Sequence, residues 1–316
     1  MSLNGMHGYC QCFFAAGCEV GPLLESKLIV VEDYCKMTER QSSFLLFSMF
    51  RQFALNLRRP TESPTKLIGE AFDEEKVLSG LEGNAHFMTI RDTSMLRLQL
   101  AFIFWNESDM ISLLKILEPY PMQDQFVARL HNRLTFVGSA AFALCHKKDC
   151  GSFKELGEKC LGHFKFLSKS GSVNAQPVYT FLKAMKNPSR DAFKKAIEAC
   201  AEVNFVNLEA IANERYGAFL KAQNDEVAFK ECITAAYFLY QDWGAHAKAL
   251  ELSKQHDFLE GSRRQKARSF ANTIGSTHKT GSITSSGTAE EMSPKKAFSF
   301  NSTLKQRKLI SLERKS

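Results

Sequence analysis

The segment Leu208 to His256, LEAIANERYGAFLKAQNDEVAFKECITAAYFLYQDWGAHAKALELSKQH, constrains the chain most. It reads as three consecutive helices with small residues where they cross. Facing helices approach closely only where side chains are small. Stacked helical hairpins meet that requirement, and such a scaffold binds, spaces and regulates more often than it carries chemistry.

The rest of the body follows the same rule. Leu23 to Tyr34 is apolar with charges interspersed, and Gln41 to Leu57 places Phe44, Phe47, Phe50 and Ala54 on one stripe at 3/4 spacing. Pro60 and Pro64 end that helix. Gly69 to Leu78 reads as a short acidic helix, Asn84 to Trp105 as a long amphipathic one, and Glu107 to Leu117 as the next, stopped by Pro119. Asp124 to His146 carries Gly138-Ser-Ala-Ala, which permits close contact, and Ser152 to Leu167 is its partner. Val173 to Met185 pairs with Ser189 to Cys200, and Asn207 to Ala222 pairs with Asp225 to Tyr240. Ala245 to Lys254 closes the series.

Strand signals are nearly absent. The expected fold is therefore all-α, an α-solenoid of tetratricopeptide-like hairpins over residues 1–258. The tetratricopeptide pattern is partial. Phe219 is followed nine residues later by Ala228 and seven after that by Ala235, but Tyr216 and Cys232 occupy positions where a small residue and an aromatic are usual. Ala192, Ala196 and Ala199 supply small residues in the preceding hairpin.

Charge divides the chain in two. Residues 261–316 hold twelve Lys/Arg against three Glu, a net +9, which leaves −2 for the first 260 residues of a chain at +7. From residue 259 the composition turns to Ser, Thr, Lys and Arg without sustained periodicity, which reads as a mostly disordered basic tail over 259–316, with a short basic helix at Asn301 to Arg314. Ser269, after Lys266-Ala-Arg268, and Ser293, in Ser293-Pro-Lys-Lys, are candidate phosphorylation sites. A phosphate there adds about −2 charge to a basic segment. The clusters Arg263 to Arg268 and Lys305 to Lys308 offer contact to an anionic partner, nucleic acid or acidic lipid, or an import signal; the plain alternative is a solvated tail.

Other chemistry finds little support. The stretch Leu96 to Trp105 is too short to cross a membrane and is interrupted by Arg97 and Gln99. The N-terminal apolar stretch lacks a positively charged leader, so Gly21-Pro22 reads as a turn between helices. Nine cysteines scattered through helices read as buried apolar residues of a reducing compartment, hence a cytoplasmic protein, with the nucleus left open by the basic tail. Cys10-x-Cys12 with Cys18, Cys145-His146 with Cys150, and Cys160 with His163 complete no four-ligand set. Glu70, Asp73, Glu74 and Glu75 have no His or nucleophile to work with, and read as a solvated helix N-terminus. Trp243-Gly244-Ala245 is the sharpest signature. It reads either as a recognition surface or, preferred here, as a helix end with Gly244 just past it. No catalytic residue, cofactor or metal is expected.

Three blocks also carry a resemblance. Arg51 to Leu78 contains an Asn-Leu pair followed by a Leu-x-Gly-Glu run. Asn207 to Phe219 contains Glu-Ala-x-Ala-Asn-Glu before an aromatic. Tyr237 to Lys248 contains Tyr, then Trp-Gly-Ala-x-Ala-Lys. In order and separation they resemble the helical-repeat region of large bacterial multi-sensor signal transduction multi-kinases, over residues 10–256. In that family the repeats follow a kinase-like domain and an origin-recognition-like AAA ATPase domain, and precede a sensor and a histidine kinase or cyclase. The resemblance implies a kinase- and ATPase-associated module of signal transduction, engaged in protein–protein interaction through its groove. The chain departs from the family in lacking a GxxxxGK[ST] loop, HRD and DFG triplets and a histidine phosphoacceptor box. It therefore reads as a non-enzymatic repeat segment. The alternatives are a fragment of a larger ATP-dependent signalling kinase and a binder working through its tail.

Overall fold

A computed structural model describes residues 2–120, 127–145 and 151–260 of the chain. These belong to the first of its two units, residues 1–266; the second, 267–316, lies outside the described residues, as do Ser269, Ser293 and the expected helix at 301–314.

Thirteen α-helices occupy the described residues: α1 (Leu3–Ala15), α2 (Pro22–Met37), α3 (Gln41–Arg58), α4 (Glu74–Ser79), α5 (Gly83–Ile103), α6 (Glu107–Leu117), α7 (Val127–Leu144), α8 (Gly151–Lys169), α9 (Ala175–Lys186), α10 (Arg190–Glu202), α11 (Val206–Ala222), α12 (Glu226–Trp243) and α13 (His246–Gln255). Among the described residues there is no strand, only a single bridge between Ile68 and Asp73. No described helix is long and apolar enough to cross a membrane.

Local chemistry sets the helix starts. Asn106, Ser189 and Asp225 each accept, through the side chain, the backbone N–H three residues on, at 3.0–3.2 Å. Asp73 caps in the same way and explains a departure from expectation. The helix expected from Gly69 starts only at Glu74, because Asp73 Oδ1 accepts the Lys76 N–H at 3.2 Å. The preceding turn is held on α3 instead. Gln52 Oε1 accepts the Ala71 N–H at 3.0 Å, and the Asn56 amide donates to the carbonyls of Pro64 and Lys66. The acidic cluster is correspondingly less solvated than expected. Glu74 is buried, pairs with Arg97 at 3.1 Å and accepts the Leu67 N–H at 3.1 Å.

Successive helices pair as hairpins: α2 with α3, α5 with α6, α7 with α8, α9 with α10, and α11 with α12. Their crossings are set by glycines. A Cβ on Gly138 of α7 would lie 2.8 Å from Cys160 Cβ of α8, and one on Gly157 of α8 would lie 2.7 Å from the Phe142 ring of α7. Between α11 and α12, Gly217 sits against Ile233 and Cys232, while Ala228 and Ala235 are only half-buried.

Contacts also join parts of the chain far apart in sequence. Helix α1 packs on α7, and α3 packs on α13. The Asn207 amide donates to Phe14 O at 3.0 Å across 193 residues. The Val20 N–H donates to Trp243 O at 2.7 Å. In a one-dimensional stack each repeat touches only its neighbours; here the first helices close against the last. One hydrophobic core runs from Met6 to Leu259, so the folded body extends past residue 258.

Candidate functional site

Helix α11 is buried on nearly every face. Residues Val206 to Gly217 all lie within the core except Glu209. A helix apolar all round belongs inside a protein, yet this one carries Glu214 and Arg215 in its middle. Buried charges persist only when paired and hydrogen-bonded, and the neighbours of these two build the site.

Both Glu214 oxygens are engaged. Oε2 accepts the Tyr240 hydroxyl at 2.6 Å, while Oε1 lies 3.0 Å from Lys248 Nζ and 2.8 Å from Arg215 Nη2. Burial pushes the Glu214 carboxyl up, but the Arg215 and Lys248 cations and the Tyr240 hydroxyl together outweigh it and hold the group below the usual carboxylate range. Tyr240 is driven well above its ordinary value by burial and by the Glu214 charge. Lys248 is 1% exposed and bridges Glu214 to Glu251, at 3.0 Å from each. The other Glu251 oxygen accepts Gln255 Nε2 at 3.1 Å.

Arg215 differs. Its side chain is buried, and its guanidinium lies over the Trp105 ring, 3.8 Å from the centroid. Its Nη2 is close to Glu214 but off the hydrogen-bonding direction, and neither Nη2 nor Nε has a hydrogen-bond acceptor.

Trp105 is held by an unusual backbone. It follows α5 with φ +56°, in the left-handed region that glycine normally fills. The Asn106 N–H donates to Ala101 O at 2.8 Å and the Trp105 N–H to Phe102 O at 3.4 Å, the bonding of a Schellman helix end with tryptophan at the glycine position. An L-residue there costs about 1–2 kcal/mol, and bulky residues in that region concentrate at functional sites.

These groups surround a cavity of about 550 Å³. Its walls come from α9 (Met185), α11 (Glu214, Arg215, Ala218) and α13 (Lys248, Glu251), faced by the α5–α6 corner with Phe104 and Trp105. Ala143 of α7, Pro188 of the α9–α10 turn and Phe193 of α10 complete the lining. The volume falls within the range of small-ligand and side-chain pockets.

The sequence-predicted residues lie elsewhere. Gly244 takes φ +85° and ends α12, as the helix-end reading requires. Trp243 is 2% exposed and Ala245 fully buried, so neither presents a recognition surface. Ala228 and Ala235 are half-buried on α12. Cys10 is buried whereas Cys12 and Cys18 are exposed, and among the described residues no three His, Cys, Asp or Glu side chains gather around a metal-sized space. Cys160 is a core residue, its thiol pushed up to about 12 by burial. Sequence reasoning missed Trp105, Glu214, Arg215 and Lys248 as a group. The available signal was a charged pair inside a helix with no polar face.

No protein-family model, curated protein or solved structure matches the chain.

Proposed function

We propose that the chain is a non-catalytic helical-repeat interaction module whose α9–α11–α13 face receives an extended protein segment or a neighbouring domain. The observation that carries this reading is the cavity of about 550 Å³ lined by α9, α10, α11 and α13 and the α5–α6 corner. Tetratricopeptide-like stacks bind along that kind of face. The sequence likeness to the repeat region of multi-sensor kinases supports a place beside a kinase or AAA ATPase in signal transduction, in the cytoplasm. The charged groups of the face pair with one another and hold no nucleophile beside a base, which fits recognition better than turnover.

A photo-cross-linking amino acid at Ala218, inside the cavity, tests this against one at Val227, which is 71% exposed on α12. In the cell of origin, a discrete adduct at 218 and none at 227, with a kinase- or ATPase-bearing protein in the adduct, is the expected result. Equal adducts at both positions, or ATP turnover by the purified chain, overturns it.

The net +9 over residues 261–316 favours a second activity, contact between the tail and an anionic surface. Binding to nucleic acid or acidic vesicles that falls steeply with salt and disappears on deleting 261–316 is its signature.

A further inference from the structure

The groups around the cavity differ in what solvent reaches. Arg215 and Lys248 are shut in, their side chains only 6% and 2% exposed, and Glu214 is buried with them. These three pair with one another inside the wall. Glu251 is the open member, its side chain 31% exposed. It accepts one bond on each oxygen, from Lys248 at 3.0 Å and from Gln255 at 3.1 Å. A carboxylate has about four lone-pair sites, so acceptor capacity remains on a residue that lines the cavity. Lys248 already matches its charge, so Glu251 offers lone pairs rather than a net negative charge. The rest of the reachable lining is mainly apolar. Phe104, Trp105 and Phe219 are half-buried there, with Met185 and Phe193 buried among them. The Arg215 guanidinium over its ring and its own left-handed backbone hold Trp105 in place, so this aromatic wall stands before anything docks.

From these exposures we propose that the cavity receives a neutral aromatic side chain bearing a polar N–H or O–H, a tryptophan or tyrosine, with its ring among Phe104, Trp105 and Phe219 and its donor on Glu251. The proposal rests on the docking reading above and names the chemistry of what docks. Neutrality follows from the balance of two cations and two carboxylates around the cavity: an ion of either sign would enter beside paired charges of its own sign and find no unmatched partner. The ring follows from the aromatic lining. The donor follows from Glu251. A purely apolar ring would strip water from that carboxylate and return no hydrogen bond, whereas an indole N–H or phenol O–H replaces the water it displaces.

Trp105 and Trp243 are the two tryptophans of the protein, so 5-fluorotryptophan labelling gives two ¹⁹F signals, one at the cavity and one in the core. Five unlabelled probes are titrated into the full chain. Two are amidated nine-residue glycine–serine peptides, one with a central tryptophan and one with 1-methyltryptophan, which lacks the N–H. The others are indole, tryptamine and indole-3-acetate: the same ring neutral, cationic and anionic. The tryptophan peptide is expected to shift the Trp105 signal saturably and leave Trp243 in place. The methylated peptide should bind about ten-fold more weakly, the loss typical of a hydrogen bond to a charged acceptor. Indole should bind more weakly than the tryptophan peptide but more tightly than either of its charged relatives. Glu251→Leu removes the acceptor and should make the two peptides bind alike. Equal binding of the two peptides to the wild-type chain overturns the proposal. So does a charged indole that binds more tightly than indole, indole that binds as tightly as the peptide, a preference for the N–H that survives in folded Glu251→Leu, or the absence of any saturable shift. The wild-type titrations decide this even if the variant fails to fold. Any of these failures with the Ala218 adduct intact removes the aromatic-donor claim and leaves the docking reading standing.

Discussion

Replacing Gly244 with alanine tests the closure between the two ends of the body. Two costs add. The backbone at φ +85° disfavours any L-residue by about 1–2 kcal/mol. The new Cβ would also lie 2.9 Å from the Val20 carbonyl oxygen and 3.2 Å from its carbon. That neighbour is backbone, and its own N–H is bonded to Trp243 O at 2.7 Å, so it yields only by disturbing the joint. A further 1–2 kcal/mol, in the range of overpacking, gives a total of about 2–4 kcal/mol. For a folded body of about 260 residues, an unfolding entropy near 2.1 cal/mol/K per residue makes about 0.55 kcal/mol equal to 1 °C. Calorimetry should therefore show a midpoint about 4–7 °C lower. Asparagine tolerates the left-handed region and keeps the steric cost, so Gly244→Asn should lose about half as much. Gly162 faces open space on α8, and Gly162→Ala should gain about 0.5–1 kcal/mol as the matched control. A Gly244→Ala midpoint within 1 °C of wild type, or equal losses for Ala and Asn, refutes the reasoning.

Lys248→Met strips a buried cation from two carboxylates and should destabilise by about 3–5 kcal/mol in chemical denaturation. Trp105→Gly relieves the left-handed strain while losing the ring, so calorimetry should show a cost about 1–2 kcal/mol below the roughly 3–5 kcal/mol of an ordinary buried Trp→Ala. Because Glu214 titrates below its unfolded value of about 4.3, the unfolded chain takes up the proton first as pH falls. The stability this carboxylate gives is complete above that value and is lost on descent through the folded pKa, a slope that Glu214→Gln should flatten in denaturation curves between pH 5 and 3 (about the unfolded carboxylate range). His131 and His163 meet edge-to-face at 5.7 Å and are both pushed down by burial, so stability should also fall as pH drops through about 6.5, and His131→Gln should weaken that step.

Much of the helix order was readable from the chain. Asn106, Ser189 and Asp225 mark their helices by composition alone, and Gly138 with its small neighbours marks a crossing. At Gly69–Asp73 the acidic composition outweighed the cap: Asp73 before Glu-Glu-Lys is itself a start signal, and the long-range anchors Gln52 and Asn56 hold the preceding turn out of helix. The hairpin motif pointed to Ala228 and Ala235, whereas Gly217 sets the crossing, because only the absence of a Cβ lets Ile233 approach. The site was least legible. Trp105, Arg215 and Lys248 sit on three separate segments, and nothing local shows that a lysine flanked by alanines in α13 is fully buried. The closure of α1 on α7 and of Val20 on Trp243 depends on tertiary fit that no spacing encodes.

The bond between Val20 and Trp243 joins the turn after α1 to the end of α12. A chain latched in this way cannot shed its hairpins one at a time from either end. Drawn out by force at its termini, it should resist as a single lock and then give way in one large step, without the sawtooth of an open repeat array. Trimming into α1 or α13 for expression would loosen this joint, whereas removing residues beyond 260 leaves it whole.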